Sequence, residues 1–172
     1  DFTMACWFKT DSSTNEKPLI AKGYNTAGHD GNFQFRVNEW NQGRLRFASH
    51  DGTASANIDI YTGASAVYSD NVWNHAAVTR KSGAWKMYMN GTEVTIATGT
   101  PTYDGNIGNN AASGSIGAEV YYQVSSTNGY FGGLLDEVAS WNKSLDANAV
   151  RAIYNSGVPP IDLRNNLGNY DG

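Results

Sequence analysis

The sequence predicts an all-β domain with one short C-terminal helix, and three observations lead to that prediction. The 172 residues include 19 glycines, about as many asparagines, 10 tyrosines and only 4 prolines, which is typical of short strands joined by turns. Apolar and polar residues alternate with a period of two along most of the chain. Close to the C-terminus the period changes to that of a helix.

The first predicted strand, FTMACWFK at residues 2–9, shows the alternation most clearly. Its strongly apolar face consists of Phe2, Met4, Cys6 and Phe8. Its other face consists of Thr3, Ala5, Trp7 and Lys9. Cys6 is the only cysteine and cannot form an internal disulfide, so we expect a small buried side chain rather than a reactive thiol.

The next strands are short and are bounded by Gly, Asn, Asp or Ser, as expected for a meander. They are predicted at residues 18–24, 32–39, 43–50 and 55–61.

A hairpin at residues 73–94 is the clearest local pattern. RKSG supplies its turn, with Ala76 and Val78 on one face of the first strand. Asn90 and Gly91 suit the positive φ angles of a type I′ turn, which leads into a further strand at residues 92–97.

Two more strands are predicted at residues 114–124 and 129–141, and a helix follows at about residues 147–154. Asp146 is a good N-cap, and Leu145 and Val150 have the spacing of a hydrophobic staple. The C-terminal stop is Gly157. The helix residues expected to face the sandwich are Val150, Ile153 and Tyr154.

Charge and hydropathy exclude two classes of partner. The net charge is −4 and the 12 basic residues are scattered, so no basic stripe is available for nucleic acid. No run of 18 apolar residues predicts a membrane span. Because the strand pattern begins at once after Asp1, we expect a piece of a longer polypeptide.

Several spaced segments resemble, in the same order, laminin G-like (concanavalin A-like lectin/glucanase) jelly-roll domains of the type found in bacterial surface and phage structural proteins. The segments are FTMACWFK, PLIAKG, WNHAAVTRKSGAWKMYMNGTEV, SIGAE and YFGGLLDEVASWNKSLDANAVRAIYNSG. The resemblance implies two antiparallel sheets packed as a curved sandwich, with loops clustered at one rim and a short terminal helix. It implies a domain at residues 1–157 and a tail or linker at 158–172.

Two departures from the family pattern stand out. The family usually has one more strand before Phe2, so the domain is expected to be truncated or completed elsewhere in the parent chain. Ser140 stands where a large aliphatic residue is usual.

Asp136 and Glu137 form an adjacent carboxylate pair within the last predicted strand. Strict alternation would place their side chains on opposite faces, where they could not flank one glycosidic bond. Glycoside hydrolases of this fold carry Glu-x-Asp-x-x-Glu on one strand, and that pattern is missing here. The sequence therefore predicts a domain that is not an enzyme.

Asp136 is predicted to share a face with Val138, where backbone N–H groups or a bound cation would satisfy its carboxylate. Some members of the family bind calcium at a rim, so Asp136 is the candidate metal ligand. No cofactor is required, and calcium is an optional one. His75 is predicted to be structural, and His29 and His50 match no zinc-ligand spacing.

Aromatic residues near turns are the candidate ligand-binding residues, because a flat ring beside Asn or Asp can stack on a sugar. The rings at or near turns are Trp40, Tyr24, Tyr61, Tyr103, Tyr121, Tyr122 and Tyr130, and the candidates among them are Trp40, Tyr24, Tyr103, Tyr121 and Tyr122. In the alternative interpretation most of these rings only cap the edges of the sandwich.

Together these features predict a non-catalytic glycan-binding or adhesion module of a larger extracellular or virion surface protein. Its partners would be glycans or neighbouring surface or virion proteins, with membership of an oligomeric assembly as a further option. The alternative is a structural or decoration protein of a phage particle, and a glucanase-type enzyme is a distant third.

Overall fold

A computed structural model describes residues 1–10, 17–23, 32–39, 42–50, 57–63, 67–98, 107, 113–118 and 130–154. Within these residues the elements are β1 (Phe2–Thr10), β2 (Lys17–Lys22), β3 (Asn32–Glu39), β4 (Arg44–His50), β5 (Asn57–Thr62), β6 (Asn74–Lys81), β7 (Ala84–Met89), β8 (Thr92–Val94), β9 (Ile96–Thr98), β10 (Gly114–Ile116), β11 (Gly133–Trp141) and α1 (Ala147–Tyr154). The predicted domain boundary at residue 157 and the tail lie outside the described residues.

The described strands form two antiparallel sheets. The five-stranded sheet has the order β11-β1-β6-β7-β8, and the six-stranded sheet has the order β10-β2-β3-β4-β5-β9. The predicted all-β sandwich of two antiparallel sheets with one short helix is therefore confirmed. In the part of the chain that the structure describes, no helix is long and apolar enough to cross a membrane.

The main core lies between the two sheets, where the inward-facing side chains of both meet. β1 contributes Met4, Cys6 and Phe8 to it, as the alternation predicts. Phe47 from the six-stranded sheet contacts Trp85 from the five-stranded sheet, with ring centroids 4.9 Å apart. Cys6 is fully buried, and burial raises the pKa of its thiol, so the prediction of a small buried side chain is confirmed.

A second, smaller cluster lies on the opposite side of the five-stranded sheet, which we call the helix side. Ala5 and Tyr88 from the sheet pack there against Val150 of α1. Trp7 of β1 stacks on Tyr154 of α1 with ring centroids 5.4 Å apart. The helix therefore covers the outer face of this sheet, and its predicted inward-facing residues are confirmed.

The local chemistry at the start of α1 is as predicted. The carboxylate of Asp146 accepts a hydrogen bond of 2.8 Å from the backbone N–H of Ala149, which is the geometry of an N-cap. The hydroxyl of Thr3 accepts a hydrogen bond from the N–H of Leu145 and donates one to the carbonyl of Lys143. A single side chain of β1 thus fixes the segment that leads into the helix.

Both predicted hairpin turns form. Ser82 and Gly83, between β6 and β7, have φ angles of 48° and 81°. Asn90 and Gly91, between β7 and β8, have φ angles of 50° and 73°. Positive φ at both central residues is the mark of the type I′ turn, which matches the twist of the strands.

Residues 92–97 are predicted as one strand, and the structure corrects this. β8 pairs with β7 in the five-stranded sheet, whereas β9 pairs with β5 in the six-stranded sheet. The chain changes sheets at Thr95. Val94 and Ile96 both pack against the main core, so their alternation fits either sheet and could not reveal the crossing.

Candidate functional site

The five aromatic residues predicted to bind a ligand all lie outside the described residues. They are Trp40, Tyr24, Tyr103, Tyr121 and Tyr122. Their role in ligand binding therefore stays a prediction.

Polar side chains collect on the outer face of the six-stranded sheet. Phe35 and Phe47 of this sheet face the main core, so the residues that alternate with them face outward. We call this outer surface the polar sheet face, and it consists of Gln34, Arg36, Arg44, Arg46, Asp59 and Tyr61.

Cross-strand register brings these residues into two neighbouring rows. Arg36 of β3 lies opposite Arg46 of β4, which lies opposite Tyr61 of β5. In the next row, Gln34 of β3 and Asp59 of β5 lie on either side of Ala48. Directly opposed residues on one face have Cβ atoms about 4.5–5.5 Å apart, so the side chains of each row lie next to one another.

Specific contacts fix the accessible end of the polar sheet face. The Arg46 guanidinium binds the Asp59 carboxylate through two hydrogen bonds, Nε to Oδ1 at 2.7 Å and Nη2 to Oδ2 at 2.8 Å. The Arg44 guanidinium lies 5.0 Å from the centre of the Tyr61 ring, in a cation–π geometry. The side chain of Asp59 remains 43% exposed, so a ligand can reach this end of the surface.

Gln34 is the most informative residue of the polar sheet face. It is completely buried, yet neither Nε2 nor Oε1 of its amide has a hydrogen-bond partner among the described residues. A buried amide without partners is costly, so such a group calls for a partner that the described part of the chain does not supply. The amide offers both a donor and an acceptor beside the buried Arg36.

The acidic pair on β11 corrects one prediction from the sequence. Ala139 pairs with Ala5, and Asp136 pairs with Trp7. An advance of three residues along β11 therefore corresponds to an advance of two residues along β1. This is a β-bulge, and Glu137 within it has φ +46°.

The bulge breaks the strict alternation on which the opposite-face prediction depended. Asp136 lies opposite Trp7, whose ring is on the helix side, whereas Val138 packs against the main core. Glu137 lines a cavity on the helix side together with His75 and Trp141. The predictions that the two carboxylates point to opposite faces, and that Asp136 shares a face with Val138, are therefore wrong.

Asp136 is exposed, and its Oδ1 accepts a hydrogen bond of 2.8 Å from the backbone N–H of Glu137. A backbone N–H group thus binds this carboxylate, which is the first of the two partners predicted for it. Across the described segments, no three His, Cys, Asp or Glu side chains are grouped so that they could hold a metal ion. A metal role for Asp136 stays a prediction.

His75 is only 2% exposed, and burial lowers its pKa to about 4, so the ring is neutral near pH 7. Its ring centroid is 5.4 Å from that of Trp7 and 6.0 Å from that of Tyr154. This packing agrees with the predicted structural role, and a pKa near 4 makes His75 a weak base. The side chains of His29 and His50 lie outside the described residues.

Of the polar sheet face, only Tyr61 was named from the sequence, as one of the aromatic residues near turns. A signal was present in RLR at residues 44–46, because two arginines at alternate positions of a strand share one face. The sequence does not show that β3, β4 and β5 align these side chains in register, since that depends on pairing between distant segments.

Comparison with known protein families gives one match. The model of the laminin G type in the concanavalin A-like lectin/glucanases superfamily matches residues 1–151. A comparison of the sequence with curated proteins gives no match.

Solved structures of the same fold include carbohydrate-binding domains. The CBM40 domain of a Ruminococcus gnavus sialidase, bound to α2,3-sialyllactose, is 17% identical with a TM-score of 0.62 and covers 89% of this chain and 81% of its own. A native heptameric pentraxin from Limulus polyphemus is 16% identical with a TM-score of 0.59, covering 89% and 69%. A mutant of the NanB sialidase from Streptococcus pneumoniae is 22% identical with a TM-score of 0.63, covering 87% of this chain and 23% of its own.

Proposed function

Because the chain belongs to the concanavalin A-like lectin/glucanases superfamily, as the match over residues 1–151 shows, we propose that it is a non-catalytic glycan-binding module. We place it in a larger surface protein outside the cell, where it serves adhesion to glycan-bearing partners. The sialyllactose bound to the R. gnavus domain supports this proposal, since the two domains share a fold.

The single observation that carries the proposal is the polar sheet face. A sugar is recognised by hydrogen-bond donors and acceptors around its hydroxyls together with a flat apolar surface beneath its ring. The paired Arg46 and Asp59 and the Tyr61 ring supply these groups at the accessible end of this sheet. They lie on regular strands, which hold them more rigidly than loops would.

Charge indicates which sugars this surface prefers. Among the described residues it carries three guanidinium groups and the carboxylate of Asp59. Arg46 binds Asp59, and Arg44 lies over the Tyr61 ring at the accessible end. A guanidinium binds a carboxylate through a favourable forked geometry, so we propose that the ligand is a glycan with a negatively charged sugar.

Calorimetric titration with α2,3-sialyllactose and with lactose tests this proposal. We expect the sialylated sugar to bind at least about tenfold more tightly, a difference of about 1.4 kcal/mol, because only it carries a carboxylate. Arg44→Gln and Tyr61→Ala should each weaken its binding about tenfold or more. Arg151→Gln is the matched control, because this exposed arginine lies on α1, beyond the other sheet.

A glycan array extends the test to other sugars and to calcium. Binding to none of them, with or without calcium, would contradict the proposal.

Trp40→Ala tests the aromatic residue that follows β3 directly in sequence. Sugar release that is lost on Glu137→Gln would show instead that the domain is an enzyme. None of the comparisons supports the alternative of a phage structural module.

A further inference from the structure

The cavity that Glu137 lines is on the helix side of the five-stranded sheet, away from the polar sheet face. Its volume is about 370 Å³, which is within the range of small-molecule sites. Its lining includes the carboxylate of Glu137, the imidazole of His75, the indole of Trp141 and the aliphatic side chain of Ile153. We call it the helix-side cavity.

Glu137 supplies the only formal charge among the described residues that line this cavity. Its carboxylate has no ion pair or hydrogen bond with any described residue. Partial burial, and secondly the neighbouring Asp136, raise the pKa of this carboxyl, although the residue remains exposed. The bulge holds Glu137 at φ +46°, a left-handed conformation that is unfavourable for a residue with a Cβ atom. Without the bulge, alternation would not bring this carboxylate into the cavity.

His75 is an independent sign that the helix-side cavity takes a ligand. It lines the cavity and is 98% buried, yet Nδ1 of its ring has no hydrogen-bond partner among the described residues. An imidazole that is neutral near pH 7 leaves the negative charge of Glu137 uncompensated, and it can hydrogen-bond to a ligand.

Trp141 and Ile153 form the apolar part of the wall, from β11 and α1 respectively. The negative face of an aromatic ring attracts a cation, and a nearby carboxylate attracts it through its opposite charge. The hydrocarbon part of such a ligand would be covered by Ile153. None of the described residues that line the cavity is a lysine or an arginine, so none of them repels a positive charge.

We propose that the helix-side cavity binds a small organic cation, an ammonium group on an apolar body, with Glu137 as its counter-ion and Trp141 as its aromatic wall. His75 provides the polar contact at the buried end. This proposal does not depend on glycan binding at the polar sheet face, which lies on the other sheet.

Butylammonium chloride and 1-butanol form a matched pair of probes, because they share the same hydrocarbon chain and differ in charge. Titration of the protein is followed by NMR at the indole N–H of Trp141 and the amide of Ala139. We expect saturable shifts with butylammonium, and an affinity for 1-butanol that is at least about tenfold lower.

Three variants decide the role of each group. Glu137→Gln keeps the shape of the side chain and should abolish the preference for butylammonium, whereas Glu93→Gln, an exposed carboxylate paired with Lys86, should leave it unchanged. Glu137→Gly removes the carboxylate and also the strain of the left-handed backbone, so it should fold at least as well as the wild type and still lose the preference. Trp141→Leu should weaken butylammonium binding more than 1-butanol binding.

Equal affinity for the two probes would overturn the proposal. So would shifts that map away from β11 and α1, or a preference for butylammonium that survives Glu137→Gln. A thermal unfolding curve for each variant shows that any loss of binding comes from a folded protein.

Discussion

At the scale of single residues, burial decides the chemistry of His75. The ring is packed between Trp7 and Tyr154, and burial lowers its pKa from 6.5 to about 4. The absence of a nucleophile or metal-ligand pattern was enough to predict a structural histidine. That Nδ1 has no partner among the described residues could not be predicted, because it depends on which atoms of β1 and α1 surround the ring.

The lowered pKa of His75 predicts how stability changes in acid. As the pH falls below about 6.5 the unfolded chain takes up a proton at this residue, and the folded protein does so only near pH 4. Stability is therefore lost between pH 6.5 and pH 4, and the loss from this group amounts to about 3 kcal/mol. His75→Phe, which retains an aromatic ring, should remove this part of the pH dependence in urea unfolding. Identical pH profiles for the two proteins would contradict the prediction.

At the scale of elements, β11 carries both the bulge and the candidate cation site. Its existence and its end at Trp141 were predicted from alternation and from the helix signals that follow. Its bulge was not, because an extra residue in one strand shows only when the partner strand is known. The same limit applied at residues 92–97, where one apparent strand proved to be two, in different sheets.

Gly133 tests the pairing between β11 and β1. A Cβ atom at Gly133 would collide with the backbone carbonyl oxygen of Lys9, and the residue has φ +150°. We therefore expect Gly133→Ala to destabilise the domain by about 3 kcal/mol, since the strands must separate to accept it. Gly114→Ala is the control, because the nearest atom to its added Cβ, the Ala21 carbonyl oxygen, is 3.9 Å away. Equal unfolding midpoints for the two variants would contradict this account.

At the scale of the whole molecule, β1 connects the two apolar clusters. Its alternate residues face the main core on one side and α1 on the other. Local pattern predicted β1, the hairpins and the helix, and the family resemblance supplied the two-sheet architecture. The placement of β10 beside β2 and of β11 beside β1 joins segments far apart in sequence, and no local pattern contains that information.

Because β1 belongs to both clusters, we expect the domain to unfold as one unit. Val150→Ala removes buried contacts only from the helix side and should cost about 2 kcal/mol. In urea, the indole N–H signals of Trp7 on the helix side and of Trp85 in the main core should disappear at the same concentration, in the wild type and in the variant. Loss of the Trp7 signal well before that of Trp85 would show that the helix side melts separately.

The pairing of β1 with β11 also bears on how the chain is synthesised. The hydroxyl of Thr3 reaches the carbonyl of Lys143, 140 residues later, so one edge of the five-stranded sheet cannot close until almost the whole domain has left the ribosome. At about 5–20 residues per second, this takes on the order of ten seconds. During that interval the backbone edge of β1 that later pairs with β11 has no neighbour and is available to chaperones. The order of synthesis thus leaves the β1–β11 edge, and with it the wall of the helix-side cavity, as one of the last parts of the domain to form.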